Sequence, residues 1–208
     1  MDYIVILDNG HGTRQYTKGK RSPDNKLIEG EWCREIAKRL HDELIELGVD
    51  CRLIVTEDKD ISLQERCNRA NKIVADNPDK KCLFVSIHIN AAKDEGKTPE
   101  WHKATGWTVW VYTKASQASK DLAQDLYMHV DAFGLKGNRS VPKEHYWQAN
   151  FKVLRSTNCP AVLTENMFMN NKADCDYLLS EEGKQDIIDL HIAGLCKYME
   201  LPYALVSA

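Results

Sequence analysis

The chain has 208 residues, 43% of them hydrophobic and 28% charged, which suits one domain with a full hydrophobic core. A formal net charge of -3 without any basic block excludes a phosphate-backbone partner, so no nucleic acid is expected. No apolar run reaches the length of a membrane span, so no membrane insertion is expected.

The chain runs from Met1-Asp2-Tyr3 into the apolar Ile4-Val5-Ile6-Leu7, without the basic, apolar and small-residue order of an export signal. The expectation is synthesis without a signal peptide and accumulation in the cytoplasm. Seven scattered cysteines (33, 51, 67, 82, 159, 175 and 196) form no Cys-x-x-Cys pair. They read as reduced core thiols rather than a disulfide framework.

Strand and helix patterns alternate along the chain. Residues 3–8 form an apolar strand ending at the turn signal Asp8-Asn9-Gly10, and residues 13–28 read as a loop. Trp32, Ile36, Leu40 and Leu44 at four-residue spacing predict a helix over 29–47, stopped by Gly48. Residues 49–55 read as a strand, and Ser62-Leu63-Gln64-Glu65 as a capping box opening a helix to about 75.

The continuous apolar run from Cys82 to Ile89 predicts a strand covered on both faces. A polar loop over 91–105, a strand over 106–112 and a helix over 116–133 follow. Residues 135–150 read as irregular, 151–155 and 160–165 as short strands, and 180–200 as a last helix. The order predicts an α/β fold: a single domain with a twisted, mostly parallel central sheet and helices on both faces.

Open α/β sheets bind ligands beyond the carboxyl ends of their strands, and three strands here end in chemically competent residues. They end in Asn9-Gly10-His11-Gly12, in Ser86-Ile87-His88-Ile89-Asn90 and in Thr164-Glu165-Asn166. As parallel neighbours they bring His11, His88 and Glu165 to one sheet edge. A histidine between two glycines has little packing purpose, and a histidine ending an apolar strand is costly to bury without a partner. Two histidines plus one carboxylate, with a fourth position open, is the catalytic zinc pattern. The carboxylate is Glu29 or Glu31, both at the start of the first helix, where either also complements the helix dipole.

At these residues the chain resembles the zinc-dependent N-acetylmuramoyl-L-alanine amidases of the amidase-3 type, the autolysin and phage-lysin family. The resemblance runs from Ile4 to about Tyr198. It rests on Leu7 to Gly12, on the Leu63, Arg66, Ala70 and Asn71 helix pattern, and on Ser86 to Asn90. Pro160 to Glu165, followed by Phe168 to Asn171, completes it. One departure stands out: Thr56-Glu57 occupies the place of the family's Thr-Arg.

The resemblance implies one catalytic domain over residues 1–208, with one zinc ion held by His11, Glu29 and His88. Glu29 fits the ligand position because it precedes Ile36-Ala37 by seven residues; Glu31 is the alternative. Glu165 is then the catalytic base and acid for cleaving the amide between N-acetylmuramic acid and L-alanine. The implied substrate is peptidoglycan, on the periplasmic or extracellular side, and the implied state a monomer. Loops 13–28, 91–105 and 135–150 are expected to line an open groove, with Trp101, Tyr146 and Trp147 as candidate contacts. The other readings are a zinc exopeptidase, for which further acidic ligands are missing, and a non-catalytic wall-binding domain.

Overall fold

In the computed structural model, which describes residues 2–94 and 99–202, the described residues form six strands and six helices. They are β1 (Tyr3–Asn9), α1 (Glu29–Glu46), β2 (Asp50–Leu53), α2 (Leu63–Asp76), β3 (Lys81–Asn90) and β4 (Thr108–Tyr112). There follow α3 (Gln117–Tyr127), β5 (Trp147–Ala149), α4 (Lys152–Arg155), β6 (Ala161–Phe168), α5 (Lys172–Leu179) and α6 (Glu181–Tyr198). The strands form one sheet in the order β2-β1-β3-β6-β4-β5. All neighbours are parallel except β4 with β6.

The period-2 alternation of β-strands divides the apolar side chains between two cores. Val5 and Leu7 of β1, with Leu83, Val85, Ile87 and Ile89 of β3, face the larger core beneath α1, α3, α5 and α6. Ile4 and Ile6, with Cys82 and Phe84, face the smaller core that holds Cys67 and Ala70 of α2 and Val153 and Leu154 of α4. Each fully buried Leu, Ile or Val contributes roughly 1.5–3 kcal/mol. The two-sided covering therefore accounts for the unbroken apolar run of β3.

The smaller core positions the site. Continuing its parity toward the strand ends replaces apolar residues with polar ones: Asp8 after Ile6, Ser86 and His88 after Phe84, and Glu165 after Leu163. Register carries this polar band across the sheet, because Asp8 pairs with Ser86 and His88 with Glu165. Glu165 in turn pairs with Thr108 of β4.

Several segments differ from expectation. Residues 151–155 form a helical turn rather than a strand: Arg155 N–H bonds the Phe151 carbonyl at 3.0 Å while Val153 and Leu154 are buried. A five-residue segment with three apolar residues carries no period that separates strand from helix. The third helix stops at Tyr127, and residues up to Gly134 continue as turns with i→i−3 bonds such as Val130 to Tyr127. Strand β5 lies within the stretch read as irregular, and α5 precedes the last helix. At Ser62 the side chain accepts the Glu65 N–H at 3.2 Å, but Glu65 pairs with Arg69 rather than closing the capping box. All seven cysteines are free thiols.

Candidate active site

His11, Glu29 and His88 come together where β1, α1 and β3 meet. One ligand atom from each lies within 4.8 Å of the others. Glu29 Oε2 is 3.4 Å from His11 Nε2, and Glu29 Oε1 is 3.1 Å from His88 Nδ1. The Ile89 N–H also donates to Glu29 Oε1, at 3.1 Å. Glu29 is the first residue of α1, and its own N–H bonds the Lys20 carbonyl at 3.0 Å, so loop 13–28 sets its height. Glu31 is exposed, and its carboxylate takes the Arg14 N–H at 3.1 Å.

The glycines around His11 act differently from the sequence expectation. His11 itself adopts the left-handed conformation (φ 59°), whereas neither Gly10 nor Gly12 has a positive φ. Such a conformation costs a non-glycine residue roughly 1–2 kcal/mol. Two guanidinium groups hold it: Arg34 Nη1 and Arg66 Nη2 both donate to the His11 carbonyl, at 2.9 and 3.3 Å. The glycines allow close approach instead. A Cβ on Gly10 would stand 2.4 Å from the His88 ring, and one on Gly30 would stand 1.9 Å from the Gly12 carbonyl oxygen.

A buried ion pair supports this corner. Arg66 Nη1 donates to Asp8 Oδ1 and to the Asn9 carbonyl, both at 2.5 Å, and Ser86 Oγ donates to Asp8 Oδ2 at 2.6 Å. On the far side of His88, Asn166 Nδ2 donates to the His88 carbonyl at 2.8 Å, and Trp107 Nε1 donates to Asn166 Oδ1 at 2.7 Å. Glu57, in place of the family's arginine, pairs with Arg69 at 2.8 Å. Its carbonyl accepts from Arg34, so this departure still feeds the support of His11.

Burial alone would raise the Glu29 carboxyl, but the His11 and His88 rings beside it outweigh that and hold it well below the usual carboxylate range. His88 is drawn the other way: burial lowers it, and Glu29 more than compensates, leaving it raised. Burial pushes Glu165 up to about 7, with His88, Lys20 and Arg139 opposing and Glu29 reinforcing. Glu165 Oε2 and Glu29 Oε2 are both buried without a hydrogen-bond partner. Glu165 stays outside the three-residue cluster although its register partner is His88.

A cavity of about 450 Å³ opens beside His11 and His88, walled by Asp60, Ile61, Leu63, Arg66 and Val153. The two histidine side chains keep 24% and 18% exposure, so solvent reaches them. Between His88 and Glu165 the described helices are α3, which packs on α6 behind the sheet, and α4, whose Val153 forms a cavity wall. Loops 13–28 and 91–105 meet around Lys20, Ala91 and Pro99; residues 95–98 of the second lie outside the described chain. Tyr146 is buried in the larger core, Trp147 packs on Trp110, and Trp101 lies under Lys172. His41 and His102 pair with Asp42 and Asp94, and His145 packs on Tyr127. His191 is buried and bonds Thr164 and the Ile187 carbonyl, whereas His129 Nε2 is buried without a hydrogen-bond partner.

Arg34, Asp8 and Arg139 were not singled out from sequence. An aspartate ending an apolar strand with the parity of the site residues is a signal that points to Asp8; lone loop or helix arginines offer none.

The N-acetylmuramoyl-L-alanine amidase family model, of the amidase-3 type, matches residues 5–197. The chain is 30% identical over 207 residues to the endolysin of Bacillus phage SPP1, covering 97% of this chain and 68% of that protein. It is likewise 30% identical over 199 residues to N-acetylmuramoyl-L-alanine amidase CwlM of Bacillus licheniformis, covering 95% and 69%. Its fold superposes on the crystal structure of N-acetylmuramoyl-L-alanine amidase from Clostridium difficile 630 with a TM-score of 0.76, at 30% identity, covering 95% and 97%. By these matches the chain belongs to the N-acetylmuramoyl-L-alanine amidase family and is a hydrolase of peptidoglycan.

Proposed function

We propose that the protein is a zinc-dependent amidase in which His11, Glu29 and His88 hold one zinc ion and Glu165 transfers the proton. The observation carrying this reading is the donor set itself. Two imidazole nitrogens and one carboxylate oxygen converge within 4.8 Å, and Glu29 Oε2 is buried with no hydrogen bond. Nitrogen and oxygen donors in this number suit zinc with a position left for substrate or water. When bound there, zinc supplies a Lewis acid that polarises the scissile carbonyl and acidifies water.

The chain's own residues do the rest. Arg34 and Arg66 hold the His11 backbone in its left-handed turn, and Asn166 holds the His88 backbone from the opposite side. Glu165 Oε2 accepts a proton from the attacking water and returns it to the leaving amide nitrogen. A carboxyl raised to about 7 is matched to both halves of that cycle near neutral pH. The bond cut is the amide between the muramic acid lactyl group and L-alanine, and we take the chain to act as one catalytic domain and as a monomer.

The test is Glu165→Gln, assayed for peptide release from purified wall beside a zinc determination. The expected result is a loss of about 10²–10⁴-fold in turnover with zinc content unchanged. Undiminished turnover would refute the assigned role.

A further inference from the structure

Among the described residues the Arg139 guanidinium makes no hydrogen bond or ion pair, and its Nη1 is buried without a partner. Its guanidinium carbon lies 5.4 Å from the Trp147 ring centre, 5.8 Å from Phe168 and 6.0 Å from Trp110. Three aromatic faces hold a cation in place, but they do not replace the hydrogen bonds that a partly desolvated guanidinium loses from water.

Trp110 lies on the same sheet face as the site, and Trp147 beside it on the edge strand also packs on Tyr127 of the larger core. Trp110 pairs with Leu163 and Trp147 with Trp110, while Thr108, two residues before Trp110, pairs with Glu165. Trp110 Nε1 donates to Thr108 Oγ1 at 3.0 Å, which keeps those two side chains together. Phe168 follows Glu165 by three residues on β6. The polar band from Asp8 through His88 to Glu165 therefore continues over β4 and β5 into an arginine set on aromatic rings. Arg139 and Glu165 are not bonded to each other, and each has a buried polar atom still to be satisfied.

The geometry points to Arg139 as the anchor for a carboxylate of the stem peptide, which makes the enzyme selective for acidic over amidated muropeptides. This rests on the amidase reading and names a selectivity within it. A planar guanidinium pairs with a carboxylate through two parallel hydrogen bonds, whereas a neutral carboxamide offers one acceptor and no charge. The aromatic frame fixes the plane of the guanidinium in advance, so little side-chain freedom is lost on binding.

The probes are N-acetylmuramoyl-L-alanyl-D-glutamic acid and N-acetylmuramoyl-L-alanyl-D-isoglutamine, both capped as the γ-methylamide so that the first keeps one free carboxylate and the second none, turned over by zinc-loaded wild type, Arg139→Met and Arg139→Lys. The wild type is expected to prefer the acid. Arg139→Met should lower kcat/KM for the acid by about 10–100-fold, chiefly through KM, and change the amide by less than about twofold. Arg139→Lys should recover part of the loss. Equal losses on both substrates would overturn the proposal while leaving the amidase reading intact. A wild-type acid-to-amide ratio near one would overturn it even if the variants fail to fold. Absence of wild-type turnover on both probes and on purified wall would remove the amidase reading, and the selectivity with it.

Discussion

Replacing Arg66 with methionine is expected to destabilise the protein by about 3–5 kcal/mol, the cost of leaving one member of a buried ion pair alone. The side chains of Arg66 and Asp8 are 2% and 1% exposed. Without the guanidinium, Asp8 retains only the Ser86 hydroxyl at 2.6 Å. The Asn9 and Ile61 carbonyls lose their Arg66 donors, previously at 2.5 and 2.8 Å, while the His11 carbonyl still has Arg34. Neutralising the stranded charge should return much of the loss. Asp8→Asn combined with Arg66→Met is therefore expected to show a coupling of about 1–3 kcal/mol. Urea unfolding of the four proteins at unchanged m-value measures this. A cost below about 1 kcal/mol for Arg66→Met, or simple additivity in the double variant, would refute the account of this corner. The same variant should bind zinc more weakly, since His11 loses one of the two donors that hold its left-handed backbone.

Two further outcomes follow from the site and its support. Glu29→Ala should abolish stoichiometric zinc binding while Glu31→Ala leaves it intact, as read by metal analysis after dialysis; the opposite pattern would exchange their roles. His191 is fully buried and its pKa is lowered to about 4 by that burial, although its hydrogen bond to Ile187 opposes the shift. Because the folded value lies below the unfolded one of about 6.5, the unfolded chain binds more protons between them. The stabilising contribution is thus complete above pH 6.5 and is lost as pH falls toward 4, by about 3 kcal/mol. The stability advantage of wild type over His191→Leu should shrink across that window in chemical denaturation; a constant difference would contradict it.

Much of the site was legible because its residues sit at strand ends. His11, His88 and Glu165 each close an apolar run, and the topology rule for open sheets then brings the ends together. The α/β class, the mostly parallel sheet and the first helices follow from apolar period and turn residues alone. Glu29 was legible only through the family resemblance, which places the ligand seven residues before Ile36-Ala37, since Glu31 shares its helix turn and its dipole argument. The four-residue helix α4 and the three-residue strand β5 were not legible, because segments that short hold less than one informative period.

What the sequence determined by itself is the list of chemically competent residues and their places at strand ends. It did so because strand alternation and strand-end placement are local properties. The tertiary structure alone decided how His11 is held in a conformation that a non-glycine residue avoids. It also decided where Arg139 rests. Each of these depends on groups far apart in the chain: Arg34 and Arg66 on His11, Asn166 on His88, and Arg139 on Trp110, Trp147 and Phe168. Such pairings arise from packing across the sheet face, and no local period encodes them.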